Sequence, residues 1–321
     1  MLINLNKPHL WKRDIACSVD MYNSWFMHFA PKAFRETRVK TAKDVEFALH
    51  LTKNLTNITP ALLKKHPNVL SMLRMSTCPP IARDRLIGLA GISKNLVESM
   101  EDEKNSRVPP RMPLVKLEEE LNKIGFIIKK MADPDIFVWL GRKKSATEVE
   151  ITRAATIVAD RLCGAVSDPI IRNAQEKRQL AAISEWLDAR GYEHLPAGKG
   201  IKFDQMPPGT YSFRMNVPVK RNEEKLVNIP VDAVIMPRSA QNGSFPLLIE
   251  AKSAGDFTNV NKRRKEESQK MNQLKSTYGD AIRFCLFLCG YFDSGYLGYE
   301  AADGIDWVWE HRIDDLSNYG L

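Results

Sequence analysis

No run of eighteen or more apolar residues occurs in the chain, so a membrane-spanning helix is not expected. Cysteine is scarce: five scattered residues in 321, an odd number, argue against a disulfide framework and for reduced thiols in a cytoplasm. Cys285 and Cys289 lie on one apolar run, but no other Cys or His pair completes a zinc site, so both are read as core. The opening Met1-Leu2-Ile3-Asn4-Leu5-Asn6-Lys7 lacks the basic-then-apolar layout of a secretory signal, and none is expected. No internal repeat or low-complexity tract is visible, which excludes solenoids and disordered tails. Charge of neither sign is lacking. Forty-seven Lys and Arg against 39 Asp and Glu leave +8, a mild tilt toward a polyanionic partner.

The first half reads as helical. Apolar residues at spacings of three and four (Ile15, Val19, Tyr22, Trp25, Phe29) predict a helix over 11–34, closed or kinked by Pro31. A second helix is expected after Thr41, and a short one opens at Thr59-Pro60, a cap followed by a first-turn proline. Pro67 to Met75 predicts another, and one more runs from about Thr77 to Met100. On that last helix Arg83 and Arg85 could reach phosphates or base edges, or could pair with Asp84 and nearby acids on a solvated face. Residues 101–113 read as a linker, 114–128 as a helix, 136–140 as a short strand and 146–162 as a helix. Two domains are expected: 1–165, a helical region for specificity, dimerisation or scaffolding, and 166–321, the catalytic part.

The second half carries the chemistry. A helix is expected after Ser167-Asp168-Pro169, with Glu176 and Gln179 on one face and a stop at Gly191. Tyr211 to Val217 alternates as a strand. Pro230-Val231-Asp232-Ala233-Val234-Ile235-Met236 and Phe245-Pro246-Leu247-Leu248-Ile249 are apolar runs joined by a turn containing Asn242-Gly243, and they predict an antiparallel hairpin. That pairing brings Asp232 and Glu250 to one end of a sheet. Lys252, two residues beyond Glu250, faces the same side. Two such carboxylates repel unless a divalent cation relieves them, and oxygen ligands of this kind suit Mg²⁺. A lysine beside the metal can hold an attacking water.

Acid-x-Lys triplets are common in a charged chain, and three occur: Asp102-Glu103-Lys104, Glu223-Glu224-Lys225 and Glu250-Ala251-Lys252. Only the last ends an apolar strand with a partner acid on the strand before it. A charged helix follows over 261–274, with Lys262, Arg263, Arg264 and Lys265 placed for a phosphate backbone, or else solvated and stitched by pairs such as Lys262 with Glu266. Phe284 to Cys289 reads as a buried strand, parallel to the Glu250 strand if the helix is the crossover, and 307–313 as a last strand.

The order helix, strand, strand with acid, strand with acid-x-Lys, basic helix, strand resembles the PD-(D/E)xK nuclease superfamily. The longer run is similar to the XamI-type type II restriction endonucleases, on Trp11-Lys12-Arg13-Asp14-Ile15 with Met21-Tyr22-Asn23-Ser24-Trp25, on Cys78-Pro79-Pro80-Ile81-Ala82-Arg83-Asp84-Arg85-Leu86, and on Leu248-Ile249-Glu250-Ala251-Lys252-Ser253. One departure is that the superfamily's Pro-Asp pair appears as Pro230-Val231-Asp232.

The resemblance implies an α/β (α+β) fold: a restriction-endonuclease-like core with a mixed central sheet flanked by helices, plus a mainly α-helical N-terminal region. It implies Mg²⁺-dependent cleavage of double-stranded DNA at a short palindromic site by a homodimer, with a separate cognate DNA methyltransferase protecting host sites. Asp232 and Glu250 would hold the metal, Lys252 would orient the water and Glu176 would add a contact. Two other readings stay open: a structure-selective repair or junction nuclease of the same fold, and a non-catalytic DNA-binding protein.

Overall fold

The structure is a computed structural model describing residues 3–196, 200–222, 225–258 and 260–321, with the side chains of 221, 222, 225 and 260–264 outside the description. The chain divides into two compact units, Ala30–Ile170, and Met1–Phe29 together with Ile171–Leu321. Residues 3–29 therefore pack with the C-terminal half, although the sequence grouped them with the helical one.

The Ala30–Ile170 unit is built from helices. It takes the later part of α1 (Pro8–Leu51), then α2 (Pro60–Lys65), α3 (Leu70–Met75), α4 (Arg83–Ala90), α5 (Lys94–Met100), α6 (Leu114–Met131) and the earlier part of α7 (Glu148–Asp188). Val45, Leu49, Leu63, Leu73, Leu96, Ile124 and Val158 are among the side chains of its core. Thr59 caps α2 by accepting the Leu62 N–H at 3.3 Å, as the Thr-Pro signal implied.

Several expectations need correction. The helix expected to stop or kink at Pro31 and the one expected after Thr41 are a single helix, α1. The helices expected on either side of Pro169 are likewise one, α7. A proline deletes one backbone hydrogen bond, and packed flanking turns can carry the helix past it. The helix expected over 77–100 is instead two, because Gly91 sits at φ +59 and ends α4 in a left-handed cap. Residues expected as a strand at 136–140 form the 3₁₀ turn Val138–Gly141, whose buried Trp139 donates its indole N–H to the Asn54 carbonyl at 2.9 Å.

The other unit holds a six-stranded mixed sheet in sequence order: β1 (Glu193–His194), β2 (Thr210–Asn222), β3 (Lys225–Met236), β4 (Leu247–Ala254), β5 (Arg283–Gly290) and β6 (Asp306–Trp309). The β2, β3 and β4 strands are antiparallel neighbours. The β4, β5 and β6 strands run parallel, β4 reaching β5 through α8 (Val260–Tyr278) and β5 reaching β6 through α9 (Ser294–Ala302). The expected last strand ends at Trp309 rather than 313, since Glu310–Tyr319 turns into 3₁₀ structure.

Helices cover both faces of this sheet, so β5 is almost continuously buried. On one face Leu248, Leu286, Leu288 and Trp307 pack with Met271 and Leu274 of α8 and Tyr296 and Leu297 of α9. On the other, Ile249, Cys285, Phe287 and Val308 pack with Ile183, Trp186 and Leu187 of α7. Cys285 and Cys289 are buried free thiols, as expected, and burial pushes Cys289 up to about 12. The described residues hold no helix long and apolar enough to cross a membrane.

The end of the β4–β5 ladder depends on one glycine. Gly290 pairs with Ala254 and has φ +102, and a Cβ there would collide with the Ala254 carbonyl. Gly290→Ala is expected to destabilise the fold by more than about 1 kcal/mol, measured by denaturant or thermal unfolding.

Candidate active site

The predicted hairpin forms. Ala233 lies opposite Ile249 and Val234 opposite Leu248, so the ladder carries Asp232 and Glu250 to adjoining positions. The Ala251 backbone N–H donates to Asp232 Oδ2 at 2.9 Å, which ties the acid of β3 to the strand that carries the other two groups. Leu248 faces the α8 layer, and alternation places Glu250 and Lys252 on the same face. There Lys252 Nζ lies 3.1 Å from Glu250 Oε1.

Side chains from α8 complete this cluster. Lys270 Nζ lies 2.6 Å from Glu250 Oε2 and also donates to the Pro230 carbonyl at 2.9 Å. Glu267 Oε1 lies 3.8 Å from Lys252 Nζ. Asp232, Glu250 and Lys252 line a cleft of about 300 Å³ together with Arg172, Glu176 and Glu266. Gln179 also lines it, and its amide donates to the carbonyls of Lys252 and Phe287 at 3.3 and 3.1 Å, fixing α7 against the ends of β4 and β5.

The electrostatics follow from burial and like charge. Burial first, then the Glu250 charge, pushes Asp232 up to about 6, against the Ala251 hydrogen bond and the two lysines. Burial opposes the Lys252 ammonium, but the charges of Glu250 and Glu267 outweigh it and raise its pKa. Two carboxylates are the donor set that Mg²⁺ accepts when waters and a phosphate fill its remaining positions. The described residues hold no cluster of three or more His, Cys, Asp or Glu suited to a metal, so an all-protein cage is absent among them. The residues fit an open, hard-cation site in which Asp232 and Glu250 would be the ligands.

The remaining candidates are placed as follows. Glu176 reaches the cleft, and its Oε1 accepts from Arg214 Nη2 at 2.7 Å and Nε at 3.1 Å, rather than pairing with Lys177 or Arg172. Arg83 pairs with Glu101 at 2.7 Å, and the same glutamate, its side chain 2% exposed, also grips Arg74. Arg85 is exposed on α4, and Lys265 on α8. The side chains of Lys262, Arg263 and Arg264 lie outside the described residues.

Sequence reasoning missed Lys270, Glu266, Glu267 and Arg214. The first three were legible in part: residues 266, 267 and 270 share one side of α8, a turn before the buried Met271 and Leu274. Arg214 carried no signal, because its reach comes from a left-handed backbone, φ +54, in the middle of β2.

The sequence model of the XamI restriction endonuclease family matches residues 53–309. The "Type II restriction enzyme SalI" of Streptomyces albus G is 54% identical over 319 residues, covering 99% of this chain and 100% of that protein. The crystal structure of protein VC1899 from Vibrio cholerae aligns with 80% of this chain and 55% of that one, at 13% identity and a TM-score of 0.31, a likeness too weak to carry an argument.

The Asp232 carboxyl is expected to leave a signature on metal-free stability. Its folded pKa, about 6, lies above the ordinary 3.8, so its contribution is fully present below about 3.8 and lost as pH rises through about 6. Asp232→Asn, which mimics the protonated acid, should gain stability relative to wild type as pH goes from 4 to 7.5 in EDTA. Unfolding curves whose difference is constant across that range would contradict the assignment.

Proposed function

The chain belongs to the XamI restriction endonuclease family, and we propose that its Asp232–Glu250–Lys252 cluster is the Mg²⁺-dependent centre that hydrolyses a DNA phosphodiester. The activity comes with the family: the chain is a type II restriction endonuclease, a hydrolase acting on DNA. The observation that carries the site is the meeting of both acids and the lysine in one cleft, held by the Ala251–Asp232 hydrogen bond.

Bound Mg²⁺ would supply positive charge at the reacting phosphate and help to deprotonate the attacking water. Asp232 and Glu250 would hold it. Lys252 keeps the water oriented from the side of β4. Lys270 and Arg172, one against Glu250 and one at the cleft wall, stabilise the negative charge that grows on the phosphoryl oxygens. Glu176, fixed by Arg214, adds a third carboxylate to the wall and can take a further metal or water contact. Gln179 keeps the Lys252 backbone still while this happens.

The substrate on this reading is double-stranded DNA with a short palindromic site. A two-fold site is cut on both strands most simply by a homodimer. A separate cognate DNA methyltransferase would protect the host's own sites, and the pair would work in the cytoplasm with the chromosome. The helical unit would serve specificity, dimerisation or scaffolding. Lys262, Arg263, Arg264 and Lys265 at the start of α8 would neutralise phosphates. Of the two arginines on α4, Arg85 is the better placed for that task, since Arg83 is engaged by Glu101.

Plasmid cleavage tests the centre. Wild type with Mg²⁺ should give discrete fragments and none in EDTA, and Lys252→Ala should lower the rate on the order of 10²–10³-fold or more. A smear would favour the structure-selective nuclease, and salt-sensitive binding without any cleavage would favour a binding protein. Binding tests the basic helix: Lys265→Ala should weaken affinity for all sequences alike and flatten the plot of log K against log salt by about one.

A further inference from the structure

Among the described residues two carboxylates lie within 4 Å of the Lys252 ammonium, and the proposed reaction takes the nearer one away. Glu250 Oε1 lies 3.1 Å from Lys252 Nζ and Glu267 Oε1 lies 3.8 Å from it. Once Glu250 turns to a metal ion, the ammonium loses its close partner at the step that needs it held.

Glu267 is built for a fixed position. Its side chain is 2% exposed, and its Oε2 accepts the Tyr296 hydroxyl at 2.6 Å. Its other oxygen, Oε1, is buried without a hydrogen-bond partner among the described residues, and it is the atom nearest to Lys252. A movement of about 1 Å would bring that pair to the distance of a charge-assisted hydrogen bond. Behind it lies Glu300 of α9, with no exposed surface and both carboxyl oxygens likewise unpartnered among the described residues. Burial first, then the Glu267 charge, pushes Glu300 up to about 9. A buried carboxylate so placed is costly unless a cation answers it, and among the described residues Lys252 is within reach.

We propose that Glu267, clamped by Tyr296, is a positioning residue that keeps the Lys252 ammonium in place when Glu250 is engaged by metal. It acts through Lys252 and does not touch the DNA or the metal. This rests on the assignment of Asp232, Glu250 and Lys252 as the catalytic centre.

The test is a double-mutant cycle on single-turnover plasmid cleavage with wild type, Glu267→Gln, Lys252→Ala and the double variant, and with Tyr296→Phe as a milder change at the same clamp. Glu267→Gln should slow cleavage about 10–100-fold, the range for groups that orient a site's ligands. Its DNA affinity in EDTA should stay within about twofold of wild type, and it should add nothing in the Lys252→Ala background, because the two residues act as one unit. Tyr296→Phe should slow cleavage in the same direction by less. A second readout needs neither metal nor turnover: in metal-free protein labelled with ¹³C-lysine, the Lys252 Cε resonance, assigned by its loss in Lys252→Ala, should move in Glu267→Gln. An unmoved resonance with wild-type cleavage overturns the proposal, as does a Glu267→Gln loss that recurs in full on top of Lys252→Ala. Where Lys252→Ala leaves no measurable rate, the resonance decides. If Lys252→Ala itself cleaves like wild type, the catalytic assignment falls first, and that failure is seen in the single variant alone.

Discussion

Two carboxylates and two ammonium groups share the half-buried end of one sheet, and the shape of the site follows from keeping them in balance. Asp232 and Glu250 repel each other, and burial strengthens the repulsion because little water is left to screen it. Glu250 is held by dividing its oxygens between Lys252 and Lys270. Asp232 is held by the Ala251 N–H and at longer range by the two lysines, and its raised pKa records the incomplete compensation. The crossover that makes β4 and β5 parallel is also the source of the second lysine and of Glu267, so one helix both covers the sheet and completes its charged end.

The sheet is deformed at the same level. Tyr211, Phe213, Ala233 and Ile235 pack on the α7 face, whereas Met215, Val217, Val219 and Val231 pack on the α8 face, although all are odd-numbered residues of two paired strands. The alternation breaks at Arg214, whose φ of +54 is a left-handed value costing about 1–2 kcal/mol in a non-glycine residue. Arg214 falls between Phe213, opposite Ala233, and Met215, opposite Val231, and so stands level with Asp232. The break aims the guanidinium at Glu176 on α7. Strain, the acid of β3 and the glutamate of α7 thus occur at one point of the sheet.

Much of this was readable in the chain because it depends on local period. Alternation in β3 and β4, an Asn-Gly turn and an acid two residues before a lysine are short-range signals, and they brought Asp232 and Glu250 to one end of the sheet with Lys252 on the same side as Glu250. The α8 crossover and the parallel partner β5 followed from length and apolarity. The signals that failed are those decided by packing at a distance. Pro31 and Pro169 looked like helix ends, but a proline's local penalty is smaller than what a packed helix gains by continuing. Residues 138–141 looked like a strand, yet Trp139 finds its partner at Asn54, far away in sequence. Lys270 and Glu267 sat in a run of charges indistinguishable from a solvated helix face, and only the helix's rotation against the sheet shows which of them turn inward.

The two lysines also define what a divalent cation changes. In its absence they act as the counter-ions of Glu250, one on each oxygen, and are unavailable for chemistry. On the proposed reading, Glu250 would hold the metal, whose charge would stand in for theirs, and both lysines would then be free to face the substrate. Lys270 retains an anchor in the Pro230 carbonyl, so it stays near the place it held. Lys252 has no second hydrogen bond of that kind among the described residues, and the charge of Glu267 is what remains to keep it from leaving the cleft. The same buried carboxylate that would be a liability in a structural core therefore has a physical reason to be there: it limits how far the water-orienting ammonium can move once its first partner has been taken.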